Sequence, residues 1–144
     1  MAKTIPFALI TPTAIVCDSE AELVIAPGAE GEVGILPQHA PYLTALKPGV
    51  LRINLVDGDT QRRLELATSS GFLQALPNRV VVIVDAAFEP NQIDVDSAKA
   101  DLEAATKRQQ AANGDLTLYH REQEKIDFAQ AKLTVASHSS MLAN

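Results

Sequence analysis

From Leu51 to Leu55 apolar and polar residues alternate, Leu-Arg-Ile-Asn-Leu, which is the period of a strand with one buried face. Asp57-Gly58 follows as a turn signal of the kind that closes hairpins. The chain then returns through Arg63-Leu64-Glu65-Leu66-Ala67-Thr68 in the same alternation. Val80 to Val84 is an unbroken β-branched run, too short for an ordinary helix and suited to a strand buried on both faces. Phe7 to Ile10, Ala14 to Cys17 and Glu22 to Ala26 are further strand candidates, divided by Thr-Pro and Asp-Ser turn signals. Turns recurring at intervals of about eight to twelve residues predict an N-terminal antiparallel β-sandwich or barrel of about ten short strands.

The pattern changes at Glu89-Pro90-Asn91. Beyond Pro90 there is no proline and one glycine, so the periodicity predicts a β domain over residues 1–88 and a helical one over 89–144. Asp94 and Asp96 suit a helix N-terminus, where the macrodipole favours acids, and Ser97 is a cap candidate in the same turn. Ala98, Leu102, Ala105 and Ala112 share one face of that helix. Asn113-Gly114 reads as its C-cap and reversal. A second helix is expected from Leu116 or Thr117 to Ala136, with Tyr119, Ile126, Ala129, Leu133 and Ala136 on one face. The two make an antiparallel two-helix hairpin, and residues 137–144 read as a frayed tail. Alanine-rich stripes bury little area at about 25 cal/mol per Å2, so the hairpin is expected to be marginal unless it docks.

Composition narrows the function. The 144 residues are 47% hydrophobic but only 4% aromatic, without Trp, so Val, Leu, Ile and Ala must fill the core. A formal charge of −6 argues against binding nucleic acid by phosphate neutralisation. A single cysteine, Cys17, excludes an internal disulfide and fits a reducing compartment. No apolar run reaches the roughly 18 residues of a transmembrane helix. The N-terminus MAKTIPFALITP has neither a signal-peptide core nor the character of a transit peptide. The expectation is a cytoplasmic protein that reaches membranes only through a partner.

No catalytic motif is present: no GxSxG, no GK[ST] phosphate loop, no HExxH and no CxxC. His39, His120 and His138 lie in unrelated contexts, which disfavours a metal site. Glu30 or Glu32 with His39 could do acid–base work, but the loop carries no nucleophile. From Asp94 onward six Lys/Arg meet eight Asp/Glu, the balance of a solvated helical surface. Residue chemistry therefore favours a non-catalytic interaction protein. A stand-alone β-barrel enzyme or small-molecule binder using Glu32 and His39 stays open, as does a free ATP sensor.

One stretch is more specific. Ala26-Pro27-Gly28-Ala29-Glu30-Gly31-Glu32-Val33-Gly34-Ile35-Leu36-Pro37-Gln38-His39-Ala40-Pro41, continuing to Gly49, resembles the epsilon subunit of F-type ATP synthases. That family carries a G-E-x-G-I-x-P-x-H-A-P run here. Gly71-Phe72-Leu73, Asn78 to Ala87 and Ile126 to Ala131 extend the resemblance along essentially the whole chain.

The resemblance implies a central-stalk rotor subunit coupling proton or sodium flow to ATP synthesis, without catalytic residues of its own. Its implied partners are the gamma subunit, the c-ring, and the alpha and beta subunits through the C-terminal helices. Its implied place is peripheral, on the cytoplasmic face of a bacterial plasma membrane or on a thylakoid. By position, Glu32 matches the family's c-ring contact, and His39 and Thr44 match contacts with gamma. Some relatives bind ATP through Ile/Leu-Asp-x-x-Arg-Ala in the first helix. The matching positions are Ile93, Asp94 and Ala98, with Arg121 and Lys125 on the second helix. Ser97 stands where the motif has arginine, removing a cation for phosphate, so the expectation is weak ATP binding at most and no cofactor. The resemblance also implies a helical hairpin that, when extended, blocks ATP hydrolysis in many bacteria. Three cations against three anions between Thr117 and Ala136 lead us to expect weak or conditional inhibition.

Overall fold

The alternation at Leu51–Leu55 is realised as a strand whose Leu51, Ile53 and Leu55 are buried while Arg52 and Asn54 face outward. The computed structural model describes residues 3–39 and 41–142. Its strands are β1 (Ile5–Thr11), β2 (Ala14–Gly28), β3 (Gly31–Ile35), β4 (Tyr42–Leu46), β5 (Gly49–Asp57), β6 (Thr60–Thr68), β7 (Gly71–Leu76), β8 (Arg79–Val84) and the short β9 (Ala87–Phe88). A 3-10 turn (Pro90–Gln92) leads to helices α1 (Val95–Gln110) and α2 (Leu116–Leu142). The architecture is a β-sandwich followed by a two-helix hairpin, with nine strands among the described residues.

The strands form one continuous sheet in the order β1-β8-β7-β4-β2-β5-β6-β9, with β3 also on β2, and β1 returning to β2. Folding this sheet over itself gives two layers. Phe7, Leu9, Ile35, Leu51, Ile53, Leu66, Leu73, Val80 and Val82 fill the space between them. Each such side chain contributes about 1.5–3 kcal/mol by leaving water.

Several local expectations need correction. Asp18-Ser19 is no turn: both residues pair with β1, and β2 runs unbroken for 15 residues. Register shifts against β1 and again near Ala21–Leu23 against β5 bend this strand, as bulges do, so that its two halves serve both layers. The sheet is not wholly antiparallel either. β1 and β8 run parallel, Phe7 beside Val80 through Ile10 beside Ile83. Strands so distant in sequence are free of the antiparallel geometry a tight hairpin imposes. Val80–Val84 is buried except at Ile83, which is 51% exposed. Ser97 does not cap α1; the Asp94 carboxylate accepts from the Ser97 backbone N–H at 3.1 Å, the ordinary N-cap bond.

The helical reversal is where the sequence places it. Asn113 and Gly114 both have positive φ, 46° and 88°. Asp115 then accepts from the Leu118 N–H and starts α2. Ala98 and Ala105 of α1 are buried, as are Ile126 and Ala129 of α2. Tyr119, expected on that face, is 43% exposed. The helix also does not end at Ala136. It continues to Leu142, and along it a second stripe, Ala131 and Val135 with half-buried Phe128, docks against Ala67, Val50 and Ile93. Met141 and Leu142 extend the helix; residues 143 and 144 of the expected tail lie outside the described residues.

Candidate functional site

The two outer faces of the sandwich differ. Val50, Arg52 and Asn54 pair with Ala67, Glu65 and Arg63 on the outer side of β5–β6, and α2 covers part of that face. On the other layer, ladder register aligns Ala45 of β4, Phe72 of β7, Ile83 of β8, Ile10 of β1 and Ile15 of β2 in one row. Phe72, Ile83 and Ile15 are 59%, 51% and 65% exposed. Leu43, two residues before Ala45 and on the same side, is 69% exposed. Lone surface hydrophobics are ordinary, but a contiguous row across five strands marks an interaction surface.

The β3–β4 connection lies beside this layer. Gln38 adopts φ 67°, a conformation costly for a residue with a Cβ, and the His39 N–H returns to the Leu36 carbonyl at 3.2 Å. Together with Pro37 this fixes the loop's shape. His39 is exposed and meets Tyr42 edge-on, ring centroids 6.4 Å apart. Leu36 is 57% exposed. Thr44 pairs with buried Leu73, so it points to the opposite side of β4 from Leu43 and is half-buried.

Glu32 stands on β3 with its carboxylate exposed and bonded to the Arg52 guanidinium. Pro27 is its ladder neighbour and Arg52 neighbours Ile25, so Glu32 and Arg52 share the outer face of the β3–β2–β5–β6 layer. That is a different face from the apolar row.

The residues proposed for a nucleotide do not converge. Ile93 packs half-buried at the hairpin–sandwich junction, Asp94 is engaged as a cap, and Ala98 is buried. Lys125 pairs with Glu122 at 3.4 Å, and Glu122 pairs with Arg108 at 3.0 Å. At a rise of about 1.5 Å per residue, Arg108 lies some 15 Å along α1 from Ala98, and Arg121 is one turn nearer the reversal than Lys125. A small cleft on the hairpin gathers Asp101, Arg108, Lys125, Phe128 and Lys132; of Ile93, Asp94, Ala98, Arg121 and Lys125, only Lys125 lines it.

Sequence reading missed Glu122, which is 2% exposed within the hairpin. Burial pushes its carboxyl up, but hydrogen bonds from Arg108 and Lys125, with their charges, outweigh this and hold it below the ordinary carboxylate value. An acid flanked at helical spacing by Lys125 was a visible signal; its distance from Arg108 in sequence hid the rest. Burial raises the Cys17 thiol, Arg62 opposing and Asp18 and Glu89 reinforcing; a suppressed thiolate fits the filler role beside the core. Among the described residues no group of three or more His, Cys, Asp or Glu could hold a metal. Among the same residues no helix is long and apolar enough to cross a membrane.

Comparison with known proteins agrees with this geometry. Residues 4–90 match the family model for the ATP synthase delta/epsilon chain β-sandwich domain. The chain is 39% identical over 122 residues to an ATP synthase epsilon chain from Desulforamulus reducens, spanning 85% of this chain and 89% of that one. It is 44% identical over 108 residues to that of Carboxydothermus hydrogenoformans, 75% and 78% of the two chains. In fold it resembles a chain of the Euglena gracilis mitochondrial ATP synthase OSCP/F1/c-ring assembly, with TM-score 0.73 and 17% identity over 96% of this chain and 81% of that one. A chain of the Tetrahymena thermophila mitochondrial ATP synthase central stalk and c-ring gives TM-score 0.60 at 16% identity, over 93% and 97%. A β-sandwich with one bare apolar face, a shaped Pro-Gln-His loop and a docked helical hairpin thus has relatives along nearly its whole length, and the chain belongs to the ATP synthase epsilon-chain family.

Proposed function

We propose that this chain is a non-catalytic central-stalk subunit of a rotary ATP synthase, coupling ion flow to nucleotide synthesis. In this reading the bare apolar face seats the gamma subunit, and the Glu32 rim rests on polar loops of the c-ring. The observation that carries it is the cross-strand row Ile15–Ile10–Ile83–Phe72 with Leu43. A hydrophobic surface on a rigid sheet suits a permanent partner. The names of the related assemblies, which include F1, the central stalk and the c-ring, support the same set of partners.

His39 sits on the shaped loop next to that layer and is assigned to the gamma contact; Thr44, turned toward the core, supports the strand behind it. The membrane is reached through the complex. The α and β subunits are met through α2 only when the hairpin leaves the sandwich. No cofactor is needed for any of these roles.

An affinity-tagged chain purified from its native membranes tests the assignment. Gamma, alpha, beta and c subunits should co-purify; recovery of the chain without gamma would refute it. Cysteines at positions 32 and 39, in a chain with Cys17 replaced by serine, should cross-link to c and gamma respectively.

A further inference from the structure

A side-chain contact between a histidine and a carboxylate ties the far end of the hairpin to the sandwich. His138 Nδ1, near the end of α2, lies 2.7 Å from Glu65 Oε1 on β6. Glu65 is largely covered, its side chain 15% exposed against 49% for His138. Arg63 reaches the other Glu65 oxygen at 4.0 Å. Arg52 is directly opposite Glu65 in the β5–β6 ladder, yet its guanidinium is turned to Glu32. Glu65 is thus left with His138 as its close partner. Beside the contact an open pocket of about 680 Å3 is bounded by α2 and β6; apart from Arg63, its other lining residues, Leu64, Pro90, Val135 and Ser139, carry no charge. The apolar docking patch is small: Ala67, Ala131 and Val135 are its buried members, joined by the Phe88–Phe128–Lys132 cluster nearer the reversal, so the His138–Glu65 contact is the polar tie nearest the helix end.

We propose that His138 and Glu65 form a proton-operated latch that holds the last turns of α2 on the sandwich. Imidazole changes charge within about pH 5–8. The protonated ring donates to the ionised Glu65 and pairs with it by charge. The neutral ring keeps at most a single hydrogen bond, and in one tautomer turns a lone pair toward the carboxylate. Docking is therefore tighter with a protonated ring than with a neutral one, and weakens as the pH rises through that range. The latch is a property of the docked hairpin and stands whether or not the gamma and c-ring contacts are assigned correctly.

Amide hydrogen exchange of residues 131–142 in the full chain tests it, with rates corrected for the intrinsic pH dependence. Protection should fall about two- to five-fold between about pH 6 and about pH 8, the range expected for a partly exposed ion pair. His138→Gln and Glu65→Gln should each remove that dependence and leave protection at the weaker level. His138→Lys, permanently charged, should hold protection high at both pH values. Protection in the native chain that does not change with pH would overturn the latch, as would an unchanged pH dependence in His138→Gln.

Discussion

Phe72 and Ile83 face one another across the β7–β8 ladder, on the outer side of the sheet, and each keeps more than half of its surface in water. Neither side chain supports the sandwich core. Replacing either by serine should change folding stability by no more than about 0.5 kcal/mol. If the face is covered in the assembled enzyme, each loses about 1.5–3 kcal/mol of burial there, at least a ten-fold loss of affinity for gamma. Thermal melting of the isolated variants and titration onto a gamma-containing complex measure the two quantities separately. Equal affinity of Phe72→Ser, Ile83→Ser and the parent chain would remove the apolar row from the interface.

Gly71 opens β7, beside the same pair. A Cβ there would collide with the Ile83 backbone carbonyl and come within 2.9 Å of Val84 Cγ1. Backbone of a central strand cannot swing aside as a long side chain can. Gly71→Ala should therefore destabilise the sandwich by about 1–3 kcal/mol, read as a lower urea midpoint with an unchanged slope. Gly58→Ala, in the β5–β6 turn where nothing lies within 4 Å but φ is 64°, should cost about 1 kcal/mol through backbone strain alone.

The inside of the hairpin has its own pH window. Glu122 is held ionised by Arg108 and Lys125, its carboxyl below the ordinary value of 4.5. A depressed acid contributes stability that is complete above its unfolded-state value and disappears as the pH falls through the folded one. Helix content should thus be maintained down to the ordinary carboxylate range and fall below it. In Glu122→Gln the hairpin should be weaker at neutral pH and that acid limb shallower. Circular dichroism melts recorded against pH check both. A native-like acid limb in Glu122→Gln would show that other carboxylates govern acid unfolding.

Much of this was legible because it is local. Leu51-Arg52-Ile53-Asn54-Leu55, the Asn113-Gly114 reversal and the alanine stripe of α1 each specify their element within a few residues. What escaped depends on register between distant segments. β2 looked like two strands because Asp18-Ser19 mimics a turn, although both residues pair regularly with β1 and the register shifts lie on either side of them. Ile83 read as core because a β-branched run does not say which member faces out. The apolar row needs five strands aligned before it exists as a surface. Glu65–His138 joins residues 73 apart, a pairing no periodicity announces. Glu32 and His39 were visible through a motif, but only the ladder separates them onto different faces.

The five residues matched to a nucleotide motif lead to a different prediction from the motif itself. Asp94 is occupied as a helix cap, Lys125 as a partner of Glu122, and Ser97 offers no positive charge. Calorimetric titration should show no saturable ATP binding below about 1 mM, an affinity of about 4 kcal/mol. Ser97→Arg should not create a tight site, because Arg121 and Lys125 remain near the other end of the hairpin. Submillimolar binding by the parent chain would require α1 and α2 to rearrange from the packing seen here.

Removal of residues 89–144 tests whether the hairpin restrains hydrolysis. An inhibitory helix must leave the sandwich and meet acidic segments of the catalytic subunits with net positive charge. Here Arg121, Lys125 and Lys132 are matched by Glu122, Glu124 and Asp127. Two of the three cations are also committed: Lys125 to Glu122, and Lys132 over the rings of Phe88 and Phe128 at 4.7 and 4.5 Å. Releasing α2 would break the Phe88 contact, worth about 0.5–2 kcal/mol, without exposing a basic face in return. ATP hydrolysis by the purified complex should therefore be nearly the same with and without the hairpin. Lys132→Ala, which weakens docking while lowering the positive charge further, should not increase inhibition. A several-fold rise in hydrolysis on truncation would mean that the undocked helix presents its charges differently from the docked one.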